Sequence, residues 1–142
     1  MDNPLEKIIS IYNRAIREYL NVELRPFNLS ESNFYYVLLV CEQPGISQKA
    51  LIKKIFRQQS IITKAVHYLT KEDWLQMVVD PDDKRRRRLY PTAKALAAYP
   101  EIKTIQKKSE TYALQGFTPE EATLLAKLVN KGIDTLLPGH EF

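Results

Sequence analysis

The chain has 142 residues, 44% hydrophobic and 27% charged, with a formal net charge of +4 from 21 Lys and Arg against 17 Asp and Glu. That length suits one ordinary domain, or one subunit of a small oligomer, and the balance is that of a globular chain with an apolar core. The single cysteine, Cys41, excludes an intrachain disulfide, no apolar run reaches the ~20 residues of a membrane span, and no secretory leader pattern opens the chain. A cytoplasmic protein without membrane contact is expected.

Residues 4–24 read as a first helix, because Leu5, Ile8, Ile9, Tyr12, Ala15, Ile16, Tyr19 and Leu20 recur at spacings of three and four. Pro4 suits its first turn, and Pro26 breaks the pattern. Ser30 is the expected cap of a second helix through Phe34, Val37, Leu38 and Cys41, closed by Pro44-Gly45. Ser47 is the expected cap of a short third helix, Gln48 to about Lys54, with Leu51 and Ile55 inward. After a turn at Phe56-Arg57, residues 58–71 form a fourth helix. Its expected inward stripe is Ile61, Ile62, Ala65, Val66 and Leu69. Its outward face is Ser60, Thr63, Lys64, His67 and Lys71, polar and cationic with no acid.

The period then shortens to two. Leu75, Met77 and Val79 alternate with Gln76 and Val78, as in a half-buried strand. Pro81-Asp82-Asp83 is a turn signal, and Arg87 and Leu89 alternate with Arg88 and Tyr90 on the return. A two-stranded hairpin with a basic tip is expected. From Thr92 the pattern is helical again, with Ala93, Leu96, Ala97, Ile102 and Ile105 apolar. Pro100, which lacks an amide hydrogen, is expected to kink or restart that helix. Gly116 closes it. Thr118-Pro119-Glu120-Glu121 opens a last helix with cap, first-turn proline and capping-box glutamate in place. Leu124, Leu125, Leu128, Val129, Ile133, Leu136 and Leu137 form its apolar stripe.

A short helix, a turn, a helix with a cationic outer face and then a hairpin make a winged helix-turn-helix. The fold class is mainly α with a small β-hairpin wing. A helix fits the major groove of duplex DNA and presents its first turns to base edges, here Gln58, Gln59, Ser60, Thr63 and Lys64, with His67 one turn on. Glutamine pairs with adenine, lysine reaches guanine or phosphate, and threonine offers a methyl or a hydroxyl. Ser47 and Gln48 open the third helix, where side chains and free amides bind phosphates. The wing supplies Lys84, Arg85, Arg86 and Arg87 to the backbone or to a narrow minor groove. Double-stranded DNA is the expected partner.

Catalysis is not expected. The chain has two histidines and one cysteine, no metal-spaced cluster and no glycine-rich phosphate loop, so neither metal nor cofactor is called for, and His140 is placed in a frayed tail. Cys41 lies on the apolar stripe of the second helix, where a thiol is structural rather than reactive.

Taken together, the chain resembles the multiple-antibiotic-resistance regulator (MarR) family of winged-helix regulators over nearly its whole length. The resemblance rests on Asp80-Pro81-Asp82-Asp83-Lys84-Arg85 closing at Thr92, on Gln58 to Leu69 followed by Leu75, and on Gly116-Phe117-Thr118-Pro119-Glu120-Glu121. It implies a single chain over 1–142 with a winged DNA-binding region at 28–92, and dimerisation helices at 1–25 and 93–142. It also implies a homodimer on a palindromic operator, acting as a repressor. Ile8, Ile9, Tyr12, Ile16, Leu124, Leu128, Ile133, Leu136 and Leu137 are the apolar residues available to that interface. Arg85 matches the family's wing arginine and Asp83 the acid that orients it. A small aromatic effector, which releases many relatives, would be met by Tyr12, Arg17, Tyr35 and Tyr36. The chain departs from the family pattern at Asp73-Trp74, where glycine and an aliphatic are usual, at Pro91, at Ala95 and in the extra charge of Arg86, Arg87 and Arg88. A winged helix that binds protein instead of an operator is the alternative, and it predicts no acid-free cationic face.

Overall fold

Pro4 stands just ahead of the first helix, in extended conformation at its cap, and a computed structural model describes residues 2–140 of the chain. Helix α1 spans Leu5–Leu24. Pro26 does not end the run outright. Arg25–Phe27 continue as a 3-10 turn that Asn28 closes in the left-handed conformation, φ 55°. Helix α2, Phe34–Glu42, starts later than a cap at Ser30 would place it. The Ser30 hydroxyl faces Ser32, while Asn33 Oδ1 accepts from the Ser30 amide and closes the turn. Phe34, Tyr36, Val37, Leu38, Leu39 and Val40 are all buried, so α2 is a central helix rather than a one-faced one.

Ile46–Ser47 form a two-residue strand, β1, too short to show as alternation in sequence. Helix α3, Gln48–Ile55, follows directly, with Ser47 Oγ accepting from Ala50 N as expected of a cap. Phe56 makes the turn at φ 60°, and α4 runs Gln59–Lys71. Ile62, Val66 and Leu69 are buried, whereas Ile61, expected inward, is 43% exposed. One residue is about 100° on a helix, which moves Ile61 off the narrow line that meets the core.

The wing is β2, Leu75–Val79, paired with β3, Arg87–Pro91, and β3 also pairs with β1, so the antiparallel order is β1-β3-β2. Arg87 and Arg88 therefore lie in a strand, and Lys84, Arg85 and Arg86 in the tip loop. Thr92 Oγ1 donates to the Asp73 carbonyl and accepts from Ala95 N, closing the hairpin and capping α5, Ala93–Leu114. Helix α5 runs unbroken through Pro100; the expected restart does not occur, because one missing amide leaves the rest of the ladder in place. Thr118 and Glu121 complete the capping box of α6, Pro119–Leu136.

The core joins Leu20 and Leu24 of α1, α2, Leu51, the inner face of α4, Trp74, Leu75, Leu89, and Ala95, Ile102 and Ile105 of α5. Tyr19 stacks on Tyr112 with ring centroids 4.5 Å apart, seating α1 on α5. Helix α6 buries none of its residues, and Leu128 and Leu136 are 54% and 79% exposed. His140 is not in a loose tail: its Nε2 lies 3.4 Å from Asp134 Oδ1 and its ring meets Phe56 edge-on. Among the described residues no helix is long and apolar enough to cross a membrane.

Asp73 makes the turn ahead of β2 in the left-handed conformation, φ 65°. A left-handed residue bearing a Cβ is strained by about 1 kcal/mol. Asp73→Gly is expected to raise stability by about that much, read as a higher urea midpoint with an unchanged m-value.

Candidate nucleic-acid interface

Three elements converge on one side of the protein. Helix α3 delivers Gln48 and Lys49 from its first turn, α4 delivers Gln59, Thr63 and His67, and the wing delivers Arg85, Arg86 and Arg87. A cleft of about 550 Å³ is lined by Gln48, Gln59, Asp83 and Arg85 to Arg87, together with Lys49 and Ile52. A second, about 530 Å³, shares Gln48, Gln59 and Arg87 and continues along Thr63, His67, Thr70 and Met77. The shared residues make these one trough between α4 and the wing. Gln48 Nε2 donates to Thr63 Oγ1 at 3.3 Å across its floor, tying the two helices.

Strand register explains why arginine reaches this trough. Val79 pairs with Arg87 and Met77 with Leu89, so Met77, Val79, Arg87 and Leu89 share one face of the ribbon. Leu89 is buried in the core, and two residues earlier the same face emerges into solvent at Arg87. Arg87 Nη1 lies 3.7 Å from Met77 Sδ, which holds the guanidinium over α4.

Other expected residues are placed less directly. Ser60, Lys64 and Lys84 line neither cleft. Gln58 is the extended residue before α4, and Ser47 Oγ is committed to capping. Lys49, Ile52, Thr70 and Met77 line the trough although sequence reasoning does not single them out. Lys49 is open to recognition, as it stands in the first turn of the same helix as Gln48. Asp83 does not orient the Arg85 guanidinium: its Oδ1 accepts from the Arg85 backbone N–H at 3.0 Å and shapes the tip turn.

Among the described residues the cationic run makes one ion pair, Arg88 Nε to Asp80 Oδ2 at 3.0 Å. Asp80 is buried and also accepts from the Asp82 amide through Oδ1. That amide, and then the Arg88 guanidinium, hold the Asp80 carboxyl below its ordinary range against the opposing effect of burial.

The residues expected to meet an aromatic effector are not gathered. Tyr36 is 2% exposed inside the core, its neighbour Tyr35 faces out, the Tyr12 hydroxyl donates to the Ala113 carbonyl, and Arg17 is paired with Glu31. Adjacent residues on a helix point about 100° apart, so Tyr35 and Tyr36 cannot face one ligand together. Cys41 is half-buried, and burial, with Glu42 beside it, pushes its thiol up, away from reactivity.

Residues 29–86, from just before α2 to the wing tip, match the family model described as MarR family. The chain is also 27% identical over 129 residues to the uncharacterised HTH-type transcriptional regulator YybA of Bacillus subtilis (strain 168), covering 91% of this chain and 86% of that protein. The stretch from α2 to the wing tip is thus similar to the MarR family. The MarR protein of Peptoclostridium difficile DA00132 superposes with a TM-score of 0.88 at 26% identity, covering 96% of this chain and 89% of that one. A Listeria monocytogenes protein described as a putative MarR family transcriptional regulator, solved in complex with a 26mer DNA, gives a TM-score of 0.81 at 26% identity over 99% and 98% of the two chains. The proteins this chain resembles over nearly their whole length are described as transcriptional regulators.

The Asp80 arrangement has a readable titration. A carboxyl whose pKa is lowered by folding contributes stability above its unfolded pKa, and that contribution is lost as pH falls through the lower folded value. The Asp80 side-chain carboxyl carbon should therefore titrate below the ordinary aspartate value of about 4 in an NMR titration. An apparent pKa at or above that value would contradict the arrangement.

Proposed function

We propose that this regulator binds double-stranded DNA as a homodimer on a palindromic operator and represses by occupying it. The observation that carries the reading is the trough: base-reading groups on α4, Gln48 and Lys49 of α3, and Arg85 to Arg87 of the wing all open to one side. A helix in the major groove with a basic ribbon beside it uses all of these at once. Gln59, Thr63 and His67 line it where base edges would lie, with Gln58, Ser60 and Lys64 flanking them; Lys84 extends the wing towards phosphates. Such a protein covers both grooves, and exclusion of other proteins from that stretch is sufficient for repression. The place for this work is the cytoplasm, where the chromosome lies.

The dimer is supported by what α1 and α6 leave uncovered. Leu5, Ile8, Ile9, Leu124, Leu128 and Leu136 are all exposed, apolar side chains that a second subunit would cover. Two-fold symmetry then sets the half-sites about one helical turn apart, roughly 34–36 Å. The winged region at 28–92 and the flanking helices at 1–25 and 93–142 divide the work between them. Release by a small aromatic ligand finds no support at Tyr12, Arg17, Tyr35 and Tyr36.

Replacing Arg85, Arg86 and Arg87 together with alanine should weaken binding to every duplex and flatten the plot of log affinity against log salt by about 0.9 for each phosphate no longer neutralised. An unchanged slope in fluorescence-anisotropy titrations would remove the wing from the interface. Leu128→Glu should halve the sedimenting mass and abolish operator binding, while far-UV circular dichroism stays helical; an unaltered mass would place the dimer interface elsewhere.

A further inference from the structure

Arg88 belongs to the cationic run yet is used differently from its neighbours. Its Nε donates to Asp80 Oδ2 at 3.0 Å and its Nη1 to the Gly45 carbonyl at 2.9 Å. Each acceptor sits at a joint. Asp80 begins the wing-tip loop: its amide donates to the Arg86 carbonyl, and its carboxylate takes the Asp82 amide. Gly45 is the turn between α2 and β1, at φ 86°, a conformation glycine adopts freely, with its amide donating to the Leu89 carbonyl. A Cβ there would come within 3.4 Å of the Tyr90 ring hydroxyl, so the turn lies flat on the wing.

Two residues beyond Gly45, Ser47 caps α3, and Gln48 follows it into the trough. The pairing of β1 with β3 is confined to Ile46 with Leu89 and Ser47 with Arg88. So short a ladder leaves the angle between wing and helix-turn-helix weakly specified by backbone bonds alone. The Arg88 guanidinium spans that joint, its planar fork satisfying one acceptor on each side.

We propose that Arg88 is a positioning residue that sets the wing against α3 and α4, and so governs discrimination between the operator and other duplexes rather than the electrostatic strength of binding. The inference rests on the operator-binding reading above. Its charge is already balanced by Asp80, so it neutralises no phosphate; Arg85, Arg86 and Arg87 carry that part.

The full-length protein is tested with two duplexes, one selected from a random pool by the wild-type protein and one of scrambled sequence. Arg88→Lys keeps the charge but a lone ammonium has no fork. Asp80→Asn adds a net positive charge and leaves one acceptor oxygen where the Asp82 amide and the Arg88 guanidinium use two. Each is expected to lower the ratio of the two affinities by about tenfold, the worth of a charge-assisted hydrogen bond, with the salt slope unchanged. A charge-counting role predicts the opposite for Asp80→Asn, namely tighter binding to both duplexes. That result, or Arg88→Leu flattening the slope by about 0.9 while Arg88→Lys keeps full discrimination, overturns the proposal. Amide exchange in the free protein decides the point without DNA. In Arg88→Lys the Gly45 and Asp80 amides should exchange faster while those of α5 do not; unchanged exchange also overturns it. Should the wild-type protein fail to distinguish the duplexes, the operator reading falls, and exchange still reports on Arg88.

Discussion

Leu89 has no exposed surface and is flanked in sequence by Arg88 and Tyr90, both at the edge of solvent. Strand β3 is hydrogen-bonded on both sides, to β1 and to β2. Burying one leucine side chain contributes roughly 2–3 kcal/mol, enough to fix which face of the ribbon turns inward. Once Leu89 is in the core, alternation leaves no freedom: Arg87 must lie on the same face one step further out, above α4, and Arg88 on the other face. The cationic wing is aimed by an apolar anchor.

The same division recurs on a larger scale. Helix α2 buries most of its length and meets α5, which also receives α1, so the winged region is seated on the centre of the chain. Helices α1 and α6 bury little of their apolar surface within the chain. In the proposed dimer, stability of one subunit and association of two fall to different residues. The spacing of two helices on DNA would then be a property of that dimer rather than of either reading head.

Much of the site is legible in the residues themselves. The capping box at Thr118, the Ser47 cap and the change of period at Leu75 each have a local cause, and each appears at the residues that carry that cause. Ile61, Pro100 and Ser30 depart from their local signals for a shared reason. Each signal is strong within its own turn, but burial line, ladder continuity and turn closure are settled by neighbours outside that turn. The aromatic cluster fails similarly, since proximity in sequence says nothing of the direction in which Tyr35 and Tyr36 point.

The amino-acid order by itself determined the helix-turn-helix, the hairpin, its basic tip and the cationic face of α4, because propensity, capping and periodicity act over a few residues. Only the tertiary structure separated Arg88 from Arg87, brought Gly45 and Asp80 to one guanidinium, and joined Gln48 of α3 to Thr63 of α4. Those bonds unite residues as many as 43 positions apart. Long-range pairing depends on how the core closes, and no local pattern in the chain encodes that.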